Sequence, residues 1–330
     1  MRILITGGGG FVGSHLVDLL SEEGHEILIL DFISNHKNLD HLIKRKNITH
    51  YFADISEPDI LPKLIQKDDW VIHLAAQSHV DVSFLKPHKT ILSNVLATHN
   101  VLESSRRNGA EKVLIMSTDE VYGSVETIDD VHSLNPTNPY SASKAAADMI
   151  TNSFKHMYPN LHINTLRSNN IAGPRQYIRN IIPRFSCLGI LGKKMTLHGD
   201  GSSRRRYLWV KDAALAISLI IKGGKPGKIY HTSHPESYSN LEVANKIGSY
   251  LGLKDFVELV DDRVYNDTTY PAFDQLDIKT DLGWEVTKDI DDFLPETIDW
   301  YKKNINLFTN LVYRNASTIS SSKWNYTKST

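Results

Sequence analysis

Ser117-Thr118-Asp119-Glu120 sets hydroxyls beside two adjacent carboxylates, and Tyr140 and Lys144 follow at a spacing of four residues. Together these side chains make a complete acid/base set. A phenol, with a reference pKa of about 10, is a poor base near neutrality unless a neighbouring cation favours the phenolate. On a helix, positions i and i+4 share a face, so Lys144 can bring that cation into the pocket of Tyr140. A solvated acidic turn is the plainer reading of residues 119 and 120.

The elements around these residues carry the argument further. Val113-Leu114-Ile115-Met116 is a short apolar run that predicts a buried parallel strand, with residues 117–120 leaving its carboxyl end. In open α/β sheets that end is where ligands bind. Residues 2–6 predict a first strand, Gly7, Gly10 and Gly13 a glycine turn, and Ser14 onward a helix. Such a turn lets backbone approach a pyrophosphate, whose charge then sits at the helix N-terminus. A second strand, Glu26–Leu30, ends at Asp31, placed to accept adenosine ribose hydroxyls. With this carboxylate and no Arg or Lys among the glycines, NAD is expected over NADP. Strands at 48–53 and 70–74 end at Asp54 and at Ala75-Ala76, whose small side chains suit a close cofactor or plain strand–helix packing. A sixth strand is expected at His162–Arg167. Two long helices, Ser83–Asn108 and Ser141–Tyr158, carry apolar faces that serve the core or a dimer seam.

The fold class that follows is α/β: a Rossmann-type doubly wound parallel sheet with a smaller mixed α/β C-terminal substrate domain. Residues 1–168 are assigned to the cofactor domain, with 206–229 packing back on it; 169–205 and 230–305 to the smaller domain; and 306–330, rich in Ser, Thr and Asn, to a mobile tail. The 330 residues are 41% apolar, and 37 Lys+Arg against 38 Asp+Glu leave a net charge of -1. No global basic field argues for nucleic acid or an anionic membrane. The one cysteine, Cys187, excludes an internal disulfide and is read as packing. Ile3-Leu4-Ile5 directly behind Met1 leaves no room for a leader, and no run of about 18 apolar residues occurs, so a cytoplasmic protein is expected.

Thr118-Asp119-Glu120, His73-Leu74-Ala75-Ala76-Gln77-Ser78-His79-Val80-Asp81, Tyr140-Ser141-Ala142-Ser143-Lys144 and Gly199-Asp200-Gly201-Ser202 through Leu208 resemble the nucleotide-sugar 4,6-dehydratases of the extended short-chain dehydrogenase/reductase superfamily. The resemblance runs from residue 1 to about 303. It implies a catalytic set of Thr118, Asp119, Glu120, Tyr140 and Lys144, acting with NAD. Tyr140 would take a proton from the C4 hydroxyl of a hexose, with Thr118 orienting that oxygen. Glu120 would remove the C5 proton, and protonated Asp119 would donate to the departing C6 hydroxyl. Two adjacent carboxylates can hold opposite protonation states, since burial and mutual repulsion raise one pKa.

The expected cofactor contacts are Gly7, Gly10, Phe11, Val12, Gly13, Asp31, Asp54, Ile55, Leu74, Ala75, Ala76 and Ser117, with Tyr140 and Lys144. For the nucleotide sugar they are Ser78, Asn170, Arg179, Asn180, Arg205, Asn240 and Arg263, the arginines suited to diphosphate by their fixed fork of donors. No metal is expected, and a homodimer through the two long helices is. Departures from the family pattern concern the sugar. Tyr177-Ile178-Arg179-Asn180 stands where relatives carry Phe-Pro-Glu-Lys, Ala172 replaces an aromatic, and His231-Thr232-Ser233 replaces Asn-x-Gly. Asn266 resembles the UDP-glucose enzymes, so the expected activity is UDP-glucose 4,6-dehydratase. The alternatives are dTDP-glucose 4,6-dehydratase, an N-acetylhexosamine dehydratase or nucleotide-sugar 4-epimerase, and a non-catalytic NAD-sensing protein.

Overall fold

A computed structural model describes residues 1–32, 37–41, 45–125, 128, 134–261 and 269–309. β1 (Arg2–Thr6) enters the glycine turn and α1 (Phe11–Glu22); β2 (Glu26–Asp31), β3 (Ile48–Phe52), the short α2 (Leu61–Leu64) and β4 (Trp70–His73) follow. The single helix expected from Ser83 to Asn108 is instead α3 (Val80–Leu85), α4 (Pro87–Ile91), a π turn at Leu92–Leu96 and α5 (Ala97–Asn108). The break is at Lys86, with φ -139° and ψ 57°. A proline's ring disfavours helical backbone in the residue before it, while Pro87 itself suits a helix start.

β5 (Lys112–Thr118) runs two residues past the expected end, because Ser117 and Thr118 still pair with Arg167 and Ser168 of β6 (His162–Ser168). Between them lie a 3-10 turn, Asp119–Tyr122, and α6 (Pro139–Met157). The helix starts at Pro139 because Asn138 makes a capping box with Ser141. Beyond β6 come β7 (Asn170–Ala172), α7 (Ile181–Ile190), β8 (Met195–His198), β9 (Arg204–Arg205), β10 (Tyr207–Trp209), α8 (Val210–Gly223) and β11 (Ile229–Thr232). β12 (Tyr238–Ser239), α9 (Asn240–Tyr250), β13 (Val257–Val260), α10 (Leu276–Leu282) and α11 (Ile290–Lys303) complete the order.

The main sheet has seven strands, all parallel, in the order β3-β2-β1-β4-β5-β6-β11. Ile3 and Ile5 face a core shared with α1 and α8, and Leu4, Val71, Val113 and Ile115 face another shared with α5 and α6. Burial on both faces is why these strands read as unbroken apolar runs. The strand order reverses between β1 and β4, the switch point at which doubly wound sheets open a crevice.

A separate core gathers α7, α9, α11 and the short strand pairs around Trp209, Phe293 and Tyr301. The boundaries differ from the expected ones. β11 takes the open edge of β6, so the chain from 229 to 232 belongs to the main sheet. Ile278 and Trp284 also join the main core, with Trp284 donating its indole N–H to the Asp212 carbonyl at 2.9 Å. Of the tail expected from 306, Asn306 and Leu307 complete a 3-10 turn begun at Ile305 and Phe308 packs on Trp300 and Tyr301; residues 310–330 lie outside the described ones. No helix among the described residues is long and apolar enough to cross a membrane.

Candidate active site

The crevice at the switch point is built by the turn after β1. A Cβ on Gly7, whose φ is +74°, would lie 2.7 Å from the backbone nitrogen of Ala75, and one on Gly13 would lie 2.2 Å from the Gly7 carbonyl oxygen. The turn therefore closes on itself, and residue 7 must be glycine because the backbone of Leu74 and Ala75 abuts it. Gly10 is the N-cap of α1 and brings no side-chain acceptor, so the first helical N–H groups of Phe11, Val12 and Gly13 present an anion-binding end. Asp31, buried at the end of β2, accepts from the Gly9 N–H at 2.8 Å, and His50 Nε2 lies 3.4 Å from the same carboxylate. A glycine cradle, an open helix terminus and an acid at the next strand end fit a dinucleotide.

Leu74 and Ala75 are pinned to β1 through the Thr6 carbonyl and hydroxyl. His73 locks this corner. The Thr98 hydroxyl gives its proton to the Asn94 carbonyl, so His73 Nε2 donates to Thr98 and Nδ1 accepts from Thr6 at 2.7 Å. Burial and the Lys144 charge push the imidazole down to about 3, which keeps it neutral. Asp54 accepts from the Ser56 N–H and hydroxyl in a turn after β3, and Ile55 is buried beside it. The Ser117 hydroxyl, expected on the cofactor, donates to Asp148 at 2.9 Å.

Thr118, Asp119, Glu120 and Tyr140 come together where β5 ends. Thr118 Oγ1 donates to Asp119 at 3.0 Å and accepts from the Glu120 N–H at 3.3 Å, and its hydroxyl works to lower the pKa of Tyr140. The two carboxylates sit in unlike surroundings. Asp119 is 2% exposed and its carboxyl is pushed up to about 6, because desolvation outweighs the Asn169 and Thr118 hydrogen bonds and the Arg205 charge. Glu120 is half-buried and accepts from Asn138 Nδ2 at 3.3 Å. Tyr140 is raised well above the ordinary phenol, first by burial and then by the Glu120 and Asp119 charges. Lys144 lies one helical turn on, buried, its ammonium donating to the Met116 carbonyl at 2.6 Å, with desolvation lowering its pKa and Asp148 opposing the fall.

The candidate substrate residues form two groups. Arg205 on β9 stacks on Tyr270 at 4.4 Å, and its charge is felt by Asp119. Asn240 starts α9 directly after the β9–β12 pair and donates its N–H to the Ser203 carbonyl at 3.0 Å. Asn170 pairs with Tyr207 on the neighbouring strand. The second group gathers Arg179 with Tyr177 and His79, the residue after Ser78. Arg179 lies over Tyr177 at 5.9 Å, Tyr177 packs on His79 at 5.8 Å, and Asn180 heads α7 as its N-cap. Arg263 and Asn266 lie outside the described residues.

Two participants escape a reading of the sequence. Asn169 bridges Asp119 and the Pro271 carbonyl, where attention falls on its neighbour Asn170. Asn138 reaches Glu120; its place before Pro139 is a helix-start signature, which gives the cap and not the second contact. Cys187 is buried and its thiol is pushed up to about 12 by desolvation, so it is inert packing. Among the described residues no group of three or more His, Cys, Asp or Glu could hold a metal ion.

The pattern of the GDP-mannose 4,6 dehydratase family matches residues 4–297. A dTDP-D-glucose 4,6-dehydratase of Dictyostelium discoideum is 35% identical, covering 94% of this chain and 83% of the relative. A trifunctional UDP-glucose 4,6-dehydratase/UDP-4-keto-6-deoxy-D-glucose 3,5-epimerase/UDP-4-keto-L-rhamnose-reductase of Arabidopsis thaliana is also 35% identical, over 92% of this chain and 47% of that protein. The crystal structure of a dTDP-glucose 4,6-dehydratase from Streptomyces venezuelae, with NAD and TYD bound, superposes with a TM-score of 0.90 at 31% identity, covering 94% of this chain and 100% of that one. The chain belongs to the nucleotide-sugar 4,6-dehydratase family of the extended short-chain dehydrogenases/reductases, and is a hydro-lyase of that class.

Proposed function

We propose that this chain is an NAD-dependent dTDP-glucose 4,6-dehydratase forming dTDP-4-keto-6-deoxy-glucose. The leaning to UDP-glucose taken from Asn266 gives way because the Dictyostelium relative and the Streptomyces structure are both dTDP-glucose enzymes. UDP-glucose is the second reading, favoured by the equally similar plant enzyme. The observation that carries the reaction is the pair of adjacent carboxylates in unlike surroundings, Asp119 held toward its acid and Glu120 on an amide donor.

NAD, when bound in the Gly7–Gly13 cradle beside Asp31, supplies a positively charged hydride acceptor for C4 and the hydride that returns to C6. Tyr140 takes the proton of the C4 hydroxyl, while Thr118, at the end of the strand beside it, holds that oxygen. Burial and two carboxylates oppose this ionisation, so Tyr140 needs a cation, the role the resemblance gives to Lys144 one helical turn on. The C4 ketone acidifies the C5 proton, and Glu120 removes it. Asp119 protonates the C6 hydroxyl, water leaves, and a proton is then delivered to C5. Arg205 holds the diphosphate, with Asn170 and Asn240 serving the same group, and Arg263 is assigned to it from the resemblance alone. Ser78, Arg179 and Asn180 border the sugar.

Incubating the protein with dTDP-glucose and UDP-glucose in parallel tests the reading. Loss of one water from the dTDP sugar with the higher kcat/KM is expected; no loss of water from either, in protein shown to hold NAD, sinks it. For Glu120→Gln, C5 proton exchange is expected to stop while C4 oxidation persists, leaving enzyme-bound NADH visible by absorbance. An unchanged overall rate in that variant removes Glu120 from its role.

We also infer a homodimer through the α3–α5 and α6 faces, supported by large apolar side chains left in water there: Leu85 68%, Ile91 52%, Met149 67% and Met157 69% exposed. A single buried cysteine fits a cytoplasmic enzyme.

A further inference from the structure

One helical turn beyond Lys144, on the face of α6 that carries Tyr140, stands Asp148. It is 5% exposed. Its Oδ2 accepts from the Ser117 hydroxyl and from Arg167 Nε, both at 2.9 Å, while Oδ1 is buried with no hydrogen-bond partner among the described residues. Leaving a carboxylate oxygen dry and unpartnered is unfavourable unless its charge serves a neighbour. Two ammonium groups of the same helix feel that charge, Lys144 and Lys155, the latter bonded to Thr165 at 3.0 Å.

From Asp148 the contacts continue toward the catalytic turn. Arg167 donates to the Tyr122 hydroxyl and lies over its ring at 4.9 Å. That hydroxyl is also hydrogen-bonded to His231 Nε2, at 2.8 Å. Phe273 packs on the His231 ring at 4.6 Å and helps close the pocket that keeps it neutral. This also gives the departure at His231 a purpose, as hydrogen-bond partner for Tyr122. Tyr122 is the last residue of the 3-10 turn that opens with Asp119 and Glu120.

We propose that Asp148 and Arg167 are positioning residues for the elimination: their ion pair fixes Lys144 and, through Tyr122, the turn that presents Asp119 and Glu120. The inference rests on the roles proposed above for Lys144 and the two carboxylates. A buried ion pair is by itself weak support for stability, since apolar residues of similar volume often serve as well. What distinguishes this one is that both ends contact catalytic elements. The titratable and charged groups around Lys144 are Tyr140 and Asp148 on its own helix and His73 on β4; around Asp148 they are Lys144 and Lys155 on α6, Arg167 on β6, and Tyr122 and Tyr140.

Asp148→Asn keeps the shape and can still accept from Ser117 and Arg167, but removes the charge. With dTDP-glucose, kcat is expected to fall about tenfold or more at little change in KM, as for loss of a group that orders a catalytic cation. The alkaline limb of the kcat profile is expected to move down by about one pH unit, because Lys144 loses the anion that opposes its deprotonation. Asp148→Glu should restore part of both. Tyr122→Phe, which deletes one hydroxyl, is expected to slow C5 exchange more than C4 oxidation, so that NADH accumulates on the protein. A folded Asp148→Asn protein with a lowered Tm and an unmoved alkaline limb overturns the proposal, as does Tyr122→Phe slowing both steps alike or neither. Should Asp148→Asn fail to fold, Tyr122→Phe decides alone. A wild-type protein that dehydrates neither nucleotide sugar fails the functional reading and takes this inference with it; wild-type turnover with silent variants fails the inference only.

Discussion

Asp119 stores free energy in the position of one proton. Its carboxyl titrates at about 6 in the folded chain against 3.8 outside it, so between those pH values the folded state binds more protons than the unfolded state. Stability from this group is therefore fully present below pH 3.8 and lost as pH rises through about 6. Two units correspond to about 3 kcal/mol. Asp119→Asn has no such titration, so the wild-type minus variant stability, followed by urea melts, is expected to fall by about that amount across the window. A flat difference contradicts it. On the role proposed for Asp119, kcat/KM should show a first decline as pH rises through about 6, below and separate from the alkaline limb assigned to Lys144, since only the acid form can protonate the departing hydroxyl.

At the scale of elements, Asn138 does two jobs that can be separated. Its side chain caps α6, holding the helix that carries Tyr140 and Lys144, and its amide reaches Glu120. Asn138→Ser keeps a capping oxygen and loses the reach; Asn138→Ala loses both, with a stability cost of about 1 kcal/mol. Near wild-type Tm with lowered kcat is expected for Ser, and both lowered for Ala. Equal kcat in Asn138→Ser and wild type would falsify the Glu120 contact as functional.

The parallel strands, the glycine turn and the spacing of Tyr140 and Lys144 were legible in the sequence because each rests on local periodicity or on a residue type with one backbone use. The break at Lys86 was legible in principle from Pro87 and was outweighed by the apolar face running through it. Asn169, Asp148 and Arg167 were not legible. Their roles depend on which strand edge meets which helix face, and on burial that no short stretch encodes.

For the molecule as a whole, the apolar face of α3–α6 predicts association. A lysine at Met149, 67% exposed in the single chain, adds a charge to that seam that pairing must desolvate. Met149→Lys is expected to sediment as a monomer where wild type sediments as a dimer, with the secondary structure unchanged by circular dichroism. A monomeric wild type would remove the seam altogether.

The place of β11 governs how the protein can be made. The edge of the main sheet is closed by residues 229–232, and its flank by Ile278 and Trp284, all contributed after the chain has left to begin the smaller core. On the ribosome, β6 must therefore wait as an open edge, with Arg167 and Thr165 unsheltered, until some sixty further residues emerge. Open edges of nascent sheets invite pairing with other chains. A fragment ending at residue 168 holds the cradle, Tyr140 and Lys144, and is expected to aggregate, whereas one ending near 309 carries its own edge strand. Completion of the main sheet thus awaits synthesis of most of the smaller core.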